Sequence, residues 1–532
     1  MNESQDEKDV KPTPSNGKLN ISRRNVIKGI GAVSVLGTFG YQFSKSLALK
    51  KEAKKDILSQ LGFSNTIPDI LPTNKFGEKS EILRIGIIGT GPRGMDLLDS
   101  LGYRTQKKID KISKENISDI ENWGRTEDLN VRLIGVCDIF DEHANTAVDA
   151  SKHSRLTYSN RGSLKGATRY KHYQELLDNK DIDAVIIATP DHHHAQMTID
   201  AIKAGKHVYC EKSLCRTEEE LFKVESAVKE SNCVFQLGHQ LSHSPVFKRA
   251  KDLVNQNILG PVTLVETTTN RNTSSGAWNR DKNNDGSLKS GTPETIDWDQ
   301  WLGNSPKIPF SLDRYYGWTK WFDYGNGPWG QLFSHEYDAI NGLLDIGIPK
   351  TCVASGGVYY WKDGRETPDT FNAVFEYPNK ELSLLYSLSL SNSNSRGRVI
   401  MGRDATMKLG GSLIVTADAS SERYKEHIES GNLDLTTPMI TFGPEDPNVD
   451  GVSSATAQYY ADRGLSKSTI NGQSIDLTYL HLKDWLNVIR YGGTTTCNID
   501  VSVSEMVTIL MATKSFRENR KVTWDSLNRK IV

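Results

Sequence analysis

The chain has 532 residues, a length that exceeds one ordinary domain and predicts two or three. Its 65 Lys and Arg residues nearly cancel its 66 Asp and Glu residues, so the net charge is −1. Proteins that coat nucleic acid or bind membranes through basic clusters carry a basic excess. The charge balance disfavours both classes and predicts no nucleic-acid partner.

An export signal is predicted at the N-terminus. Residues 22–24 read Ser-Arg-Arg and precede an uncharged stretch over 29–43, with small residues at 46–48. The stretch is about 15 residues long, shorter than the ~20 that a helix needs to span a bilayer. The arginine pair resembles the twin-arginine signal, so we predict a signal peptide over 1–48, export by the twin-arginine (Tat) machinery and a periplasmic location. An ordinary signal or an uncleaved anchor is the alternative, and residues 49–81 are predicted to be a linker or surface arm.

Residues 82–88 form an apolar run that is typical of a buried parallel strand. The run leads into Gly-Thr-Gly-Pro-Arg-Gly at 89–94 and then into a helical pattern, which is G-x-G-x-x-G in the context that a dinucleotide site requires. Gly89 would permit the tight turn, Gly91 the approach of a pyrophosphate to the backbone, and Gly94 the close packing of helix on strand. The motif predicts dinucleotide binding, with a plain glycine turn as the alternative.

An acidic residue, Asp138, ends the second predicted strand, which begins at Val131. Asp138 would accept hydrogen bonds from the ribose hydroxyls of the cofactor and would repel a 2′-phosphate, which favours NAD over NADP. It lies 44 residues after Gly94, where about 20 is usual. The charged stretch over 102–128 accounts for the excess and predicts an inserted helix or loop. An exposed aspartate at a strand end is the alternative.

Strands and helices alternate after this point. Buried strands are predicted at 183–188, 206–210 and 234–238, and a helix is predicted at 194–204. Ligands bind at the carboxyl ends of the strands in a parallel sheet. We therefore expect four groups of residues to converge at one edge of the sheet: Asp138, Thr189 to His194, Glu211-Lys212, and Gly238 to Gln240.

In these motifs the chain resembles the Gfo/Idh/MocA family of glucose–fructose oxidoreductase and inositol dehydrogenase. The matching features are the glycine fingerprint, the acid after strand two, Thr-Pro-x-x-x-His at 189–194, and Glu-Lys-Pro, whose proline is Ser213 here. The resemblance implies an α/β protein with an N-terminal Rossmann domain over 82–240 and a C-terminal α+β domain over 241–532. That second domain would carry a large, open, mostly antiparallel sheet, through which family members often form homo-oligomers. The following residues are expected at the NAD cofactor: Gly89, Gly91, Pro92, Arg93, Gly94, Asp138, Thr189, Pro190, His194, Glu211, Lys212 and Gln240.

The pattern changes from about residue 241 onward. Longer, alternating strand candidates lie at 262–269, 371–377, 382–390 and 398–401. Helical patterns return at 480–491 and 504–519, and the last helix is predicted to pack back onto the first domain.

Six of the ten tryptophans lie within 278–329, interleaved with tyrosines. No helical or strand period organises them, so one ordinary core stripe is not predicted. Flat aromatic faces beside polar side chains suit a carbohydrate, and we predict substrate contacts from Trp278, Arg280, Tyr316 and Trp321. A small loop-rich core is the alternative.

A second family motif follows at 330–338, where His335 and Asp338 match the final His-x-x-Asp of the substrate site. The family's acid four residues before the histidine is Gln331 here, which cannot carry a proton. Asp338 shares a helix face with His335 and could hold it, as could Glu336. The resemblance places His335 and Asp338 at the substrate.

Oxidation of an alcohol by hydride transfer also requires loss of the hydroxyl proton, so a base or a cationic donor must touch that oxygen. Lys212, at a strand end that would face the nicotinamide, is the leading catalytic candidate. His335 is predicted to be the second proton donor or acceptor. A solvated surface lysine and a structural histidine are the respective alternatives.

No metal site is predicted. His192, His193 and His194 are consecutive and cannot all face one ion without a loop. Residues 281–286 open like a calcium loop, but its twelfth position is Thr292 instead of a bidentate glutamate, so a polar turn is favoured. The six cysteines show no Cys-x-x-Cys spacing and are expected to be free, buried thiols.

The sequence thus predicts an exported NAD-dependent oxidoreductase that acts on a sugar or polyol derivative. One alternative is an NAD-dependent glycosidase, which oxidises its substrate transiently, eliminates the leaving group and reduces the product back. The other is a carbohydrate-binding relative that has lost catalysis, which the glutamine at position 331 would favour.

Overall fold

The computed structural model describes residues 61, 63, 81–160, 162–273, 276, 289–443, 467–470 and 473–532. The predicted signal peptide, almost all of the predicted linker, Trp278, Arg280 and the loop at 281–286 lie outside these residues. Every described helix and strand belongs to one compact unit, Thr66–Val532. Among the described helices, none is both long enough and apolar enough to cross a membrane.

The first sheet is parallel, with six strands in the order β3-β2-β1-β4-β5-β6. Its strands are β1 (Leu83–Ile88), β2 (Val131–Cys137), β3 (Thr168–Tyr170), β4 (Ala184–Ile187), β5 (His207–Cys210) and β6 (Phe235–Leu237). Its helices are α1 (Pro92–Leu101), α2 (Gln106–Glu115), α3 (Ile117–Arg125), α4 (Asp141–Ser151), α5 (Arg155–Asn160), α6 (Tyr173–Asp178), α7 (Asp191–Lys203) and α8 (Glu218–Lys229). All four residues of β4 are buried, as expected for a strand covered by helices on both faces. The predicted Rossmann fold is confirmed.

The charged stretch before β2 forms two short helices, α2 and α3, which meet at Asn116. Their buried side chains are Ile109, Ile120 and Trp123, which pack together in a small core of their own. The inserted helix or loop predicted between the glycine turn and β2 is therefore present, and it explains the unusual distance between Gly94 and Asp138.

The second sheet has ten strands in the order β14-β13-β12-β11-β7-β10-β9-β8-β17-β18, and β15 and β16 form a separate hairpin. The strands are β7 (Val262–Asn270), β8 (Thr351–Gly357), β9 (Thr370–Tyr377), β10 (Leu382–Ser389), β11 (Arg398–Gly402), β12 (Ala405–Leu409), β13 (Leu413–Ala417), β14 (Ile440–Phe442), β15 (Lys467–Ile470), β16 (Gln473–Asp476), β17 (Val522–Asp525) and β18 (Lys530–Ile531). Among the described pairs in this sheet, β7 with β10 is parallel and the others are antiparallel. The predicted C-terminal domain with a mostly antiparallel sheet is confirmed.

One face of this sheet is covered by helices. The helices of this half are α9 (Pro245–Asn255), α10 (Trp298–Leu302), α11 (Leu312–Tyr316), α12 (Gly327–Leu344), α13 (Lys425–Glu429), α14 (Leu477–Tyr491) and α15 (Ile499–Glu518). Helix α15 lies along β8 and against α12, while β10 alternates buried and half-buried residues. On the other face Val353 and Val374 remain 45% and 40% exposed, so the described sheet is open on that side.

The C-terminal helices pack back onto the first domain, as predicted for the last one. Leu482, Trp485 and Leu486 of α14 belong to the same buried cluster as Leu97 and Leu98 of α1. Helix α15 contacts α8 and β6. This docking holds α12, which lies against α15, at the carboxyl ends of β5 and β6.

The aromatic segment before α12 forms a small core of its own. Trp301, Trp321 and Tyr324 are buried there, and Trp298 stacks on Trp301 with ring centroids 4.5 Å apart. The predicted sugar contact of Trp321 is replaced by packing, because the residue is 5% exposed and the Arg314 guanidinium lies 4.3 Å from its ring centroid. The described part of the segment matches the alternative of a loop-rich core.

Candidate functional site

The glycine turn between β1 and α1 has the close packing that a dinucleotide site needs. Gly89 has φ +87°, and a Cβ on it would lie 2.7 Å from the carbonyl of Ala188. A Cβ on Gly94 would overlap the carbonyl oxygen of Gly89. Gly91 is the N-cap of α1 and offers its first-turn N–H groups no side-chain partner. These N–H groups can bind a phosphate, so the turn fits the pyrophosphate of NAD.

Arg93, in the same turn, is tied to the end of β5. Its Nε lies 2.7 Å from Oε1 of Glu211, which is buried. Burial acts to lower the pKa of Arg93, but the charges of Glu211, Tyr209 and Asp96 and the hydrogen bond to Glu211 together outweigh it and raise this pKa above its usual value. The Nη2 atom of Arg93 has no hydrogen-bond partner among the described residues. The pair therefore joins the glycine turn to the strand end that carries Lys212, and it leaves one buried donor for a ligand.

Asp138 follows β2 and is 8% exposed. Its Oδ2 accepts hydrogen bonds from the backbone N–H and the hydroxyl of Thr90, at 2.6 and 3.1 Å. Its Oδ1 accepts from the backbone N–H of Phe140 at 2.8 Å. The carboxylate thus braces the glycine turn against the end of β2. Its role with the ribose of NAD stays a prediction and would use the lone pairs that these bonds leave.

His194 lies in the first turn of α7, whose N-cap is Pro190. The ring is buried, and its two nitrogens contact the carbonyl oxygens of Thr189 and Ser213, both at 2.7 Å. Both nitrogens are therefore engaged by the protein instead of being presented to the cofactor. His194 joins the ends of β4 and β5 and positions the segment that carries Lys212, where the Lys212–Ser213 peptide bond is cis.

Lys212 is held by helix α12 of the second domain. Its Nζ donates to the backbone carbonyl oxygen of Gln331 at 3.1 Å and to the side-chain oxygen of Gln331 at 2.8 Å. The amide nitrogen of Gln331 donates in turn to Oδ2 of Asp191 at 2.7 Å. Burial raises the pKa of Asp191, while the charges of His194 and Lys212 act in the opposite direction. Gln331 therefore links the lysine to a buried carboxylate.

Asp191 belongs to the group Thr189 to His194 that is expected at this edge of the sheet, but no role is predicted for it from the sequence. The available indication was its position directly after Thr189-Pro190, at the end of a buried strand, where ligands of parallel sheets bind. Its position changes the interpretation of Gln331. This glutamine stands on α12 where the family motif has an acid, but its side chain donates a hydrogen bond to the carboxylate of Asp191.

His335 follows Gln331 by one turn of α12 and lies on the same helix face. Its Nδ1 lies 3.4 Å from Nδ1 of His239, in the loop after β6. Nε2 of His239 lies 2.7 Å from Oε2 of Glu505, on α15. All three side chains are buried. Burial lowers the pKa of His335 well below its usual value, and the charge of Lys212 lowers it further.

Asp338 does not hold His335, contrary to the prediction. Its Oδ1 accepts a hydrogen bond from Sγ of Cys497 at 3.6 Å, and burial raises its pKa to about 6. Glu336, the other predicted support, forms an ion pair with Arg398 at 2.7 Å. His239 occupies the position beside His335 instead, because α12 faces the loop after β6.

The other predicted residues are placed less centrally. Gln240 opens a short 3-10 helix, Gln240–His243, and its buried side-chain oxygen has no partner among the described residues. Tyr316 donates through its hydroxyl to the carbonyl oxygen of Ser290 at 2.7 Å. Gln240 therefore keeps an acceptor for a ligand beside His239, whereas the contacts of Tyr316 do not join it to Lys212.

The site combines an ammonium group, an imidazole and a buried hydrogen-bond network beside a phosphate-binding turn. This set can exchange a proton with a substrate oxygen while a bound dinucleotide exchanges a hydride with the adjacent carbon. No three His, Cys, Asp or Glu side chains in the described ranges are grouped to hold a metal ion. The six cysteines are free thiols, and five of them are buried.

Comparison with protein families agrees with this arrangement. Residues 83–239 match the NAD-binding Rossmann fold of the Gfo/Idh/MocA oxidoreductase family, and residues 294–524 match the family's C-terminal alpha/beta domain. The chain belongs to this family. Its first domain has the NAD-binding Rossmann fold of this oxidoreductase family.

The relatives of this Gfo/Idh/MocA chain include a dehydrogenase and a glycosidase. The levoglucosan dehydrogenase of Pseudarthrobacter phenanthrenivorans is 29% identical over 185 residues, which cover 35% of this chain and 41% of the relative. The alpha-N-acetylgalactosaminidase of Shewanella oneidensis is 29% identical over 220 residues, which cover 40% of this chain and 39% of the relative. The match therefore spans less than half the length of either relative.

Solved structures share the Gfo/Idh/MocA fold. A levoglucosan dehydrogenase in complex with NADH and levoglucosan has a TM-score of 0.52 at 17% identity, covering 83% of this chain and 99% of that one. The WlbA dehydrogenase from Chromobacterium violaceum, in complex with NADH and UDP-GlcNAcA, has a TM-score of 0.53 at 14% identity, covering 86% and 99%. At these identities the similarity shows the fold alone.

Proposed function

We propose that the protein transfers a hydride between NAD and a hydroxyl-bearing carbon of a sugar or polyol derivative. The observation that carries this proposal is the placement of Lys212 and His335 beside each other at the carboxyl ends of β5 and β6, next to the glycine turn. The levoglucosan dehydrogenase relative and the sugar ligands of the similar structures support a carbohydrate as the substrate class. The near-zero net charge is compatible with a neutral substrate.

Lys212 is suited to hold the oxygen of the reacting carbon. A lysine ammonium has three N–H donors, and Lys212 directs two hydrogen bonds to Gln331. The third donor is left for a substrate oxygen, and the side chain is only half-buried, so a ligand can reach it. When bound, NAD would supply or accept the hydride.

His335 is suited to exchange the proton of that oxygen. Its Nδ1 is occupied by His239, and its Nε2 makes no hydrogen bond to another described residue. The free nitrogen can therefore donate to a substrate oxygen or accept from it. The low pKa of His335 keeps the ring neutral at neutral pH, so it can act in either direction.

A second candidate function is glycoside cleavage by transient oxidation, elimination and reduction at the same NAD. The observation that favours it is the similarity to the alpha-N-acetylgalactosaminidase of Shewanella oneidensis. Both functions use the same hydride step and the same two proton carriers. They differ in their outcome, because the glycosidase returns its hydride and leaves no net NADH.

Export is part of the proposal. The Ser-Arg-Arg sequence at 22–24 and the uncharged stretch at 29–43 support a twin-arginine signal, and with it a periplasmic location. Twin-arginine export carries folded proteins, so the enzyme would be loaded with NAD before it crosses the membrane. Fractionation of cells that produce the wild type and an Arg23→Lys, Arg24→Lys variant tests this, and equal periplasmic amounts would contradict it.

One experiment separates the candidate functions. The mature protein is purified, its bound NAD(H) is quantified, and a panel of sugars, polyols and nitrophenyl glycosides is supplied. Accumulation of NADH with a sugar or polyol supports the dehydrogenase, and release of nitrophenol without net NADH supports the glycosidase. A protein that neither carries nor binds NAD would overturn both, and would leave the carbohydrate-binding relative without catalysis.

A further inference from the structure

We propose that His239 and Glu505 form the inner part of a proton-transfer chain that begins at His335 and ends in the protein core. The inference rests on the proposed function and deepens it. The chain is built from three elements that are far apart in sequence: His335 lies on α12, His239 in the loop after β6, and Glu505 on α15.

The geometry places three titratable groups next to one another. The two Nδ1 atoms of His335 and His239 lie 3.4 Å apart, and Nε2 of His239 lies 2.7 Å from Oε2 of Glu505. The side chains of His239 and Glu505 are 1% and 0% exposed. Water has no direct access to this pair, so a proton on His239 is transferred to the site through His335.

A buried carboxylate is costly unless a cation or hydrogen-bond donor compensates it. The imidazolium form of His239 supplies that compensation for Glu505. The groups that act electrostatically on His239 or contact it are Glu505, Asp338, Lys212, His335, His481 and Cys497. Burial acts to lower the pKa of His239, but Glu505 and Asp338 outweigh it and raise this pKa above its usual value.

The pKa values of the two histidines are therefore shifted in opposite directions. His335 has a pKa well below the usual value, whereas the pKa of His239 is raised. A proton shared by the two rings is therefore held by His239, and His335 is neutral. With His239 donating from Nδ1 to Nδ1 of His335, the proton of His335 is placed on Nε2, the nitrogen that is free for a substrate.

In this protonation state His335 can donate a proton during the reduction of a carbonyl. Bound NADH would supply the hydride to the carbonyl carbon, and the carbonyl oxygen would take the Nε2 proton of His335 and become a hydroxyl. His335 takes the Nδ1 proton of His239 at its own Nδ1 and stays neutral. His239 becomes neutral and keeps its Nε2–H towards Glu505. Oxidation of the alcohol is the same sequence in reverse and needs His239 to be neutral at the start.

The direction of the pH dependence follows. Reduction should be fast below the pKa of His239 and should fall as the pH rises through it, whereas oxidation should rise over the same interval. Glu505→Gln removes the charge that raises this pKa while it keeps the size of the side chain. The pH of the changeover should then move down by about one unit or more, and carbonyl reduction at neutral pH should fall about tenfold.

A matched control is available in Glu225, another buried carboxylate. It lies on α8 and pairs with Lys229 at 2.9 Å and with Arg529 at 2.7 Å, away from His335. Glu225→Gln should leave the changeover pH where it is in the wild type. A changeover that stays in place in Glu505→Gln, in a protein that folds and turns over, would overturn the proposal.

A second measurement does not depend on turnover or on the folding of Glu505→Gln. Nitrogen NMR of the full chain with labelled histidine, without added cofactor, reports the protonation of each ring, and His239→Gln assigns the signal of His239. The expected spectrum at neutral pH shows His239 as an imidazolium and His335 as a neutral ring. A neutral His239 in the wild type would overturn the proposal. An inactive protein that still shows the charged His239 would count against the proposed function alone.

Discussion

Lys212 and Gln331 join the two domains at the site. The lysine follows β5 of the first sheet, the glutamine lies on α12 of the second half, and Nζ of the lysine donates to the glutamine side chain at 2.8 Å. The same amide donates to Asp191 at 2.7 Å, so its oxygen and nitrogen are both engaged. An amide transmits a hydrogen bond without carrying a proton. Gln331 therefore orients Lys212 and leaves proton exchange to Lys212 itself and to His335.

Replacement of Lys212 by alanine should lower turnover by about 10²–10⁴-fold, because it removes the group that holds the substrate oxygen. Binding of NAD should persist, since the glycine turn does not depend on this side chain. Turnover and the amount of bound NAD are the quantities to measure. Lys223→Ala is the control, because Lys223 is exposed on α8 and pairs with Glu219. Full activity of Lys212→Ala would refute the assignment.

Replacement of Gln331 by glutamate should destabilise the protein in a pH-dependent way. The new carboxylate would lie against Asp191, and two adjacent buried carboxylates cannot both ionise, so the pKa of one of them is raised in the folded state. The loss is absent below the unfolded-state pKa, grows as the pH rises from that value to the raised folded-state pKa, and is constant above it at about 1–3 kcal/mol.

Urea unfolding at pH 5 and pH 8 tests this effect. Gln300→Glu is a matched control, because the Gln300 amide also donates to a carboxylate, Asp297, at 2.7 Å, but on the exposed surface. Its effect should stay within about 0.5 kcal/mol. A Gln331→Glu protein that is equally destabilised at both pH values would contradict the explanation.

The features predicted from the sequence are those that local patterns determine. The glycine turn at 89–94 is one example, because a strand, a turn and a helix follow one another within a few residues and each limits the next. The parallel sheet is another, since its buried strands are continuous apolar runs such as β4. The sequence also predicts Lys212 at a strand end for the same reason, without reference to any contact across the domains.

The contacts that organise the site depend on how distant elements dock. Glu505 lies on a helix whose sequence gives no reason to single out one acid, and it meets His239 only because α15 packs against the first domain. Asp338 shares a helix face with His335, as predicted, but that face also meets Cys497. Trp321 shows the same limit, because an aromatic residue in a loop is equally suited to a ligand and to a small core.

Replacement of Gly94 by alanine should weaken NAD binding and lower stability. A Cβ at this position would overlap the carbonyl oxygen of Gly89, so α1 would have to move away from β1 and distort the phosphate-binding turn. Overpacking of this kind costs about 1–3 kcal/mol. NAD titration and thermal unfolding measure the two effects.

Gly342→Ala provides the matched control for this change. Gly342 lies on α12, and a Cβ on it would meet nothing within 4 Å. Alanine is the better helix former, so this variant should gain about 0.5–1 kcal/mol and bind NAD normally. A Gly94→Ala protein with unchanged affinity for NAD would contradict the proposed role of the turn.

The buried pair of His243 and His481 should make the protein less stable as the pH falls. Nε2 of His243 lies 3.1 Å from Nδ1 of His481, and burial lowers the pKa of His243 to about 3, whereas an unfolded histidine titrates near 6.5. Below pH ~6.5 the unfolded chain therefore binds a proton that the folded ring does not accept. This contribution to the free energy of unfolding is fully present above that pH and is lost, by up to about 1.4 kcal/mol per pH unit, as the pH falls towards the folded-state pKa.

His243→Gln should reduce the slope of unfolding free energy against pH by about that amount between pH 6 and 4, as measured by urea titration. His427→Gln, at a half-exposed position on α13, should leave the slope unchanged, and equal slopes for the wild type and His243→Gln would show that His243 is not the group that titrates.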